Sequence, residues 1–169
     1  MKLILPSIKY KNSFLDALEE FHAEGKELFY NPTEIDADFD AGIEKANERM
    51  SGVPKEQRVP DTLFWLVDNG EFIGRVSLRH TLNERLKEYG GHVGYYIRPS
   101  EQGKGYGTQA LRLAIEEAKK LGLKKILVTC DEDNIGSRKV IEKNGGVLQD
   151  VIKTPLNDNR PLMRWWIDL

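Results

Sequence analysis

Tyr95-Tyr96-Ile97-Arg98-Pro99-Ser100-Glu101-Gln102-Gly103-Lys104-Gly105-Tyr106-Gly107-Thr108 is the stretch whose reading decides the fold. It begins as a β-strand, is stopped by Pro99, bends through glycines, and then enters an apolar repeat of helical period. Glycines at alternate positions leave several main-chain N–H groups free of side-chain cover. These groups fall where a helix begins, with its own unpaired N–H groups and the positive end of its dipole. Such a bend is a cradle for phosphate, and Lys104 within it adds a compact positive charge. Glycines before a helix also serve simply to ease a tight bend, so the bend alone leaves both readings open.

Two named phosphate motifs are excluded. The dinucleotide fingerprint requires a third glycine where this chain has Thr108, and an acidic residue about twenty positions on, where it has Lys124 and Lys125. A P-loop requires Gly-Lys-Ser/Thr after four spacer residues, and no such run occurs. The pattern Gln/Arg-x-x-Gly-x-Gly/Ala is met by Gln102, Gly105 and Gly107, and it resembles the acyl-CoA-binding motif of the GNAT superfamily of N-acyltransferases. A second block, Asn134-Ile135-Gly136-Ser137 followed by Val140 to Gly146, resembles that family's Asn-x-x-Ala/Ser helix ending in Lys-x-Gly-Phe. A helix and a strand separate the two blocks, as in the family.

The rest of the chain bounds the reading. Its 169 residues suit one domain with a sizeable core, read as 1–169. A formal charge of −2 gives no global attraction to nucleic acid or to an anionic membrane. A local basic patch of Arg98, Lys104, Arg138 and Lys139 still suits an anionic cofactor. The single cysteine, Cys130, excludes an intramolecular disulfide and offers no metal cluster, so no metal is expected and the compartment is read as reducing and cytoplasmic. The apolar run at the N-terminus is too short for a signal peptide, and no stretch has the length of a membrane span.

Patterning predicts the order of elements. Leu3–Leu5 reads as a strand, and Phe14, Leu15, Leu18 and Phe21 mark a helix that stops near Gly25. Leu28 to Met50 reads as one or two helices, and Ser51 to Pro60 as a polar connection limited by Pro54 and Pro60. Leu63–Val67 and Phe72–Arg79 form a hairpin through Asn69-Gly70. Thr81 to Glu88 reads as a turn or short helix, and His92 to Arg98 as a strand. An amphipathic helix follows, marked by Ala110, Leu111, Ala114, Ile115 and Ala118 and capped by Gly122. Ile126–Cys130 is a buried-type strand, expected parallel to its predecessor because a helix separates them. A further helix and a hairpin around Asn157-Asp158-Asn159 complete the chain. This β-αα-βββ-α-β-α-ββ order is that of the GNAT fold. The expected class is α/β (α+β), with a mixed, mostly antiparallel sheet of about seven strands, a splayed central parallel pair and about four flanking helices. Phe64-Trp65-Leu66-Val67, Gly90 to Tyr95 and Trp165-Trp166-Ile167 also resemble a little-characterised bacterial branch of predicted acetyltransferases, which supplies no substrate.

The resemblance implies a site. Main-chain N–H groups of Gly103, Lys104, Gly105, Tyr106, Gly107 and Thr108 would hold the pyrophosphate of acetyl-CoA, with Gln102 of the same motif counted among the cofactor-binding residues. The backbone of Tyr95, Tyr96 and Ile97 would pair with the pantetheine arm like an added strand. Asn134 would bond the arm, with Ser137 one turn along, although Asn134 equally suits a helix N-cap. The implied activity is acetyl transfer from acetyl-CoA to a primary amine of a small molecule or peptide, by direct attack in a ternary complex. The positions where family members carry a base match Gly91 and Val93, and the usual acidic tyrosine matches Ile141, so neither group is present. His80, His92 and Tyr95 stand as catalytic candidates, with Glu84 and Cys130 behind them. Strand alternation points His92 to the opposite face, His80 equally suits a structural strand end, and Tyr95 equally suits core packing. Arg79 and Arg85 suit either an acidic acceptor or plain solvation. A non-catalytic acyl-CoA sensor is the competing reading, and homodimerisation is left open by the sequence.

Overall fold

The computed structural model describes residues 1–51 and 58–169, so Pro54 of the polar connection lies outside the described residues. The chain opens with β1 (Lys2–Ile4) and a 3-10 turn, whose Ser7 hydroxyl accepts from the Lys9 N–H. Then come α1 (Lys11–Ala23), α2 (Pro32–Ala37) and α3 (Phe39–Ser51). The expected one or two helices after Leu28 are two, because Asn31 caps α2 with Pro32 in its first turn, and Asp38 returns to extended geometry before α3. β2 (Asp61–Asp68) and β3 (Glu71–Arg79) follow as the predicted hairpin. Asn69 and Gly70 both take positive φ, at 47° and 86°, the turn whose twist matches that of the strands.

Next along the chain are α4 (Glu84–Glu88), β4 (Val93–Ile97), α5 (Tyr106–Lys120), β5 (Lys125–Asp131), α6 (Ile135–Lys143), β6 (Val147–Lys153) and β7 (Pro161–Asp168). The strands form two antiparallel sheets, of order β1-β2-β3-β4 and β5-β7-β6. Of the six helices described, four exceed two turns, and these flank the sheets.

Each face of the first sheet has its own core. Leu66, Val76, Leu78 and Val93 on one face pack with Leu111 and Ala114 of α5, and the same cluster extends to Val128 of β5 and Ile141 of α6. On the other face, Trp65 and Phe72 pack against Phe14 and Phe21 of α1, with Tyr30 and Phe39 nearby. The rings of Phe14 and Tyr30 meet edge to face with centroids 5.2 Å apart, a favoured aromatic geometry. Within this face Arg75 is only 5% exposed, and Glu27 neutralises it through a paired contact (Arg75 Nη2 to Glu27 Oε1, 2.8 Å).

β4 and β5 meet at one point. Gly91, at φ 60°, lies so close to β5 that a Cβ there would sit 2.4 Å from the Leu127 carbonyl oxygen. The His92 N–H donates to that oxygen (2.7 Å), and the Leu127 N–H donates back to His92 Nδ1 (2.9 Å). Among the described residues no ladder joins the two strands beyond this link, so in place of one sheet with a parallel central pair there are two antiparallel sheets of four and three strands, and the ring and N–H of His92 are spent on the link between them.

Two outcomes follow from this contact. Gly91→Ala must push β5 away and hold alanine at positive φ, so urea denaturation is expected to show a loss of roughly 2 kcal/mol or more; a loss below about 0.5 kcal/mol would refute the close approach. Burial, and then the charge of Arg79, lower the pKa of His92 from 6.5 to about 4. Its neutral ring therefore stabilises the fold above pH 6.5, and this contribution is lost as pH falls towards 4. Thermal melts should fall across that window in the wild type, and fall less in His92→Asn, whose side-chain oxygen can accept from Leu127.

Candidate functional site

A cleft of about 1380 Å³ runs along the gap between β4 and β5, from the glycine bend to the open side of β2 and β3. Its geometry comes from strand alternation. The Arg79 N–H donates to His92 O and the Arg98 N–H to Ile73 O, so the even-numbered residues of β4 spend their backbone groups on β3. Val93, Tyr95 and Ile97 therefore turn theirs into the gap. This corrects the expectation for Tyr96, whose backbone faces β3. Its ring lies over the Arg75 guanidinium, 4.7 Å from charge to centroid.

One end of the cleft is the glycine bend. Asn31, Asn83 and Asn134 cap their helices with side chains, whereas α5 starts from Gly105 at φ 89° with none. Among the described residues, the N–H groups from Gly103 to Thr108 donate to no protein atom; the first helical bond is Gln109 N–H to Gly105 O. Gly107 lets the helix approach the strand, since a Cβ there would stand 3.2 Å from Val140 and 3.7 Å from Tyr95. The Gln102 side chain donates to Ile97 O (3.0 Å), tying the bend to the strand end. Glu20 holds the Pro99-Ser100 turn from below, accepting from the Ser100 N–H (2.9 Å) and Arg98 Nε (2.6 Å). Those bonds outweigh burial and keep its carboxyl below the usual pKa.

The side chains of two expected residues turn elsewhere. Lys104 reaches Glu101 (3.0 Å) and is 55% exposed, so its charge lies outside the cleft wall. The Tyr106 hydroxyl donates to Asp68 (3.1 Å), leaving only its backbone at the bend. Of the predicted basic patch, Arg98 pairs with Glu20 and Arg138 donates to Glu132 O. Lys139 does line the cleft, and so does Lys143, one turn further along α6. Sequence reasoning missed Lys143, although the four-residue spacing on a helix was a signal for it.

In the middle of the cleft Tyr95 and Ser137 meet, hydroxyl to hydroxyl at 2.9 Å. Burial pushes the Tyr95 pKa up to about 12, so it stays protonated. Asn134 caps α6, its Oδ1 accepting from the Ser137 N–H (2.9 Å), and it also lines the cleft; the two readings of this residue are compatible. Cys130 lies close by, and burial pushes its thiol pKa up, which disfavours the thiolate.

The histidines are not brought here. His92 is 7% exposed and lines a separate depression with Trp166, while His80 Nε2 pairs with Thr62 Oγ1 (2.9 Å) outside the cleft wall. Glu84 is outside it too, paired with Lys87. No base stands at Gly91 because a side chain there collides with β5, and Val93 and Ile141 belong to the core. Among the described residues, no group of three or more His, Cys, Asp or Glu is placed to hold a metal ion, and no helix is long and apolar enough to cross a membrane.

Known proteins agree with this arrangement. The family model of the acetyltransferase (GNAT) domain matches residues 15–147. The ribosomal-protein-serine acetyltransferase of Escherichia coli is 31% identical over 114 residues, 64% of this chain and 61% of that enzyme, less than two thirds of its length. The uncharacterised N-acetyltransferase YnaD of Bacillus subtilis is 25% identical over 145 residues, 85% of this chain and 78% of its own. In fold, the chain resembles a ribosomal L7/L12 α-N-protein acetyltransferase solved with coenzyme A, with a TM-score of 0.66 at 16% identity over 99% of this chain and 93% of that one. It also resembles a microcin C7 self-immunity acetyltransferase solved with acetyl-CoA and AMP, with a TM-score of 0.65 at 18% identity over 99% and 91% of the two chains. With both motif blocks inside the matched span, the chain belongs to the GNAT acetyltransferase family.

Proposed function

We propose that the protein transfers an acetyl group from acetyl-CoA to a primary amine by direct attack in a ternary complex. The observation that carries this is the meeting, among the described residues, of two open backbone arrays: the N–H groups from Gly103 to Thr108, and the edge of β4 at Val93, Tyr95 and the N–H of Ile97, whose carbonyl is held by Gln102. The first matches a pyrophosphate and the second an extended arm bearing amides. Lys139 and Lys143 add positive charge on the same side.

A donor laid along that path brings its thioester to the point where β4 leaves β5. The amine nitrogen attacks the carbonyl carbon, and an N–H of β4 facing the gap stabilises the oxyanion. Collapse of the tetrahedral adduct forms the amide, breaks the C–S bond and releases a thiolate. An ordinary thiol has a pKa near 8.5, well below that of Tyr95, so Tyr95 does not give up its proton outright. Instead it bonds Ser137, whose hydroxyl donates towards sulfur, while the excess proton passes from the nitrogen to solvent water. Positioning supplies much of the rate in such a scheme.

The absence of a histidine at this point, among the described residues, favours a second reading, an acyl-CoA sensor without turnover. Release of free CoA over a panel of amines separates the two, and no release with any amine would leave the sensor.

Two variants test the proposal. A Cβ at Gly105 meets nothing within 4 Å, so Gly105→Val keeps the fold, at a strain of roughly 1–2 kcal/mol for positive φ, but obstructs the cradle. Titration calorimetry should show acetyl-CoA affinity reduced by about tenfold or more; unchanged affinity would remove the cradle from the mechanism. Ser137→Ala should lower kcat by about 10- to 100-fold with little change in acetyl-CoA affinity, as expected for a leaving-group interaction. An unaltered kcat would exclude the hydroxyl pair from thiolate departure.

A further inference from the structure

The end of the cleft opposite the glycine bend has a charge imbalance. Arg75 there is neutralised by Glu27, and Lys26 by Glu24. Arg79 and Arg85 also face this end, and among the described residues neither forms an ion pair with a carboxylate. Asp61, opposite Arg79 in the β2–β3 ladder, lines the same end, and among the described residues it forms no ion pair with either arginine. Arg79 spends one nitrogen, donating through Nη1 to Gly90 O (3.2 Å) and Gly91 O (3.0 Å). Among the described residues, the rest of its guanidinium fork makes no hydrogen bond. Burial, and after it the neighbouring Arg75 and Arg85, hold its pKa below the ordinary value against the pull of Asp61.

Two guanidinium groups at this wall are therefore a cost that an oxyanion would turn into charge-assisted, fork-shaped hydrogen bonds. Arg79 touches Gly91, the residue at which β4 and β5 part, so an anion on this wall and a nitrogen at the gap lie within one small molecule or one peptide residue. We infer that the acceptor is an amine that also carries a carboxylate or phosphate, held by Arg79 and Arg85 while its nitrogen faces the thioester. This rests on the acetyl-transfer reading. Arg79 also fixes the Gly90-Gly91 turn, so Arg85, exposed on α4, is the cleaner residue to change.

The test uses one aminoethyl scaffold with four head groups: ethanolamine, β-alanine, 2-aminoethyl phosphate and ethylenediamine. With the intact protein and acetyl-CoA, kcat/KM for the two anionic amines should exceed that for ethanolamine by about tenfold or more, with ethylenediamine lowest. Arg85→Ala should shrink the anionic-to-neutral ratio to less than about threefold, and Arg85→Lys should restore part of it. A ratio near one in the wild type, or one unchanged in Arg85→Ala, overturns the inference. Calorimetric titration of the CoA-loaded protein with 2-aminoethyl phosphate gives a readout independent of turnover. Arg85-dependent binding without acetylation of any amine would overturn acetyl transfer but keep the anion site; acetylation without anion preference would do the reverse. A preference for phosphate over carboxylate, or the converse, identifies the oxyanion.

Discussion

A single backbone contact organises this protein: the carbonyl of Leu127 pressed against a glycine that has no room for a side chain. Gly91 and His92 fasten β5 to β4 at that point, and the strands diverge from it. Were the ladder continued, the gap would close and the hydrogen-bonding edge of β4 would be consumed. Stopping the ladder after one link leaves polar backbone uncovered, which is unfavourable in isolation and suits a ligand with amides of its own. The same contact removes a side chain from the position where relatives are expected to carry a base, so the shape of the cleft and the lack of a base at that position have one origin.

The cleft is electrostatically divided. At the glycine bend, positive potential comes from main-chain dipoles and from Lys139 and Lys143, while Lys104 and Arg98 are neutralised by acidic neighbours. At the opposite end, it comes from guanidinium groups, of which Arg75 is buried and paired beneath the ring of Tyr96. Breaking a buried pair of this kind is costly because it strands one charge in an apolar setting. The floor is thereby rigid, and the groups free to respond to a ligand are those at the rim.

Much of the fold was legible because local rules coincide with it. Asn69-Gly70 demanded a tight hairpin, the apolar repeat of α5 demanded a helix with a buried face, and the alternate glycines demanded an open bend. The direction of individual side chains was less legible. That Glu20 grips Ser100 and Arg98 is invisible to pattern reading, since they lie far apart in the chain. Lys104 was read as a phosphate ligand, yet its neighbour Glu101 captures it. His92 was placed on the far face by strand alternation, and there it is; what the pattern did not disclose is that its ring nitrogen stitches two sheets together. Tyr95 and Ser137, read separately as candidates, form one hydrogen-bonded pair only because α6 packs across the splay.

The glycine bend has a further consequence, for how such a protein can change over generations. The grip proposed for it would be made from peptide groups that every residue possesses, so replacement of neighbouring side chains would leave such contacts in place as long as the turn survives. The wall around Arg79 and Arg85 has no such insurance, because a single codon there alters the charge. If the bend holds the donor as proposed, inheritance preserves that handling readily, while the choice of recipient drifts or is selected anew.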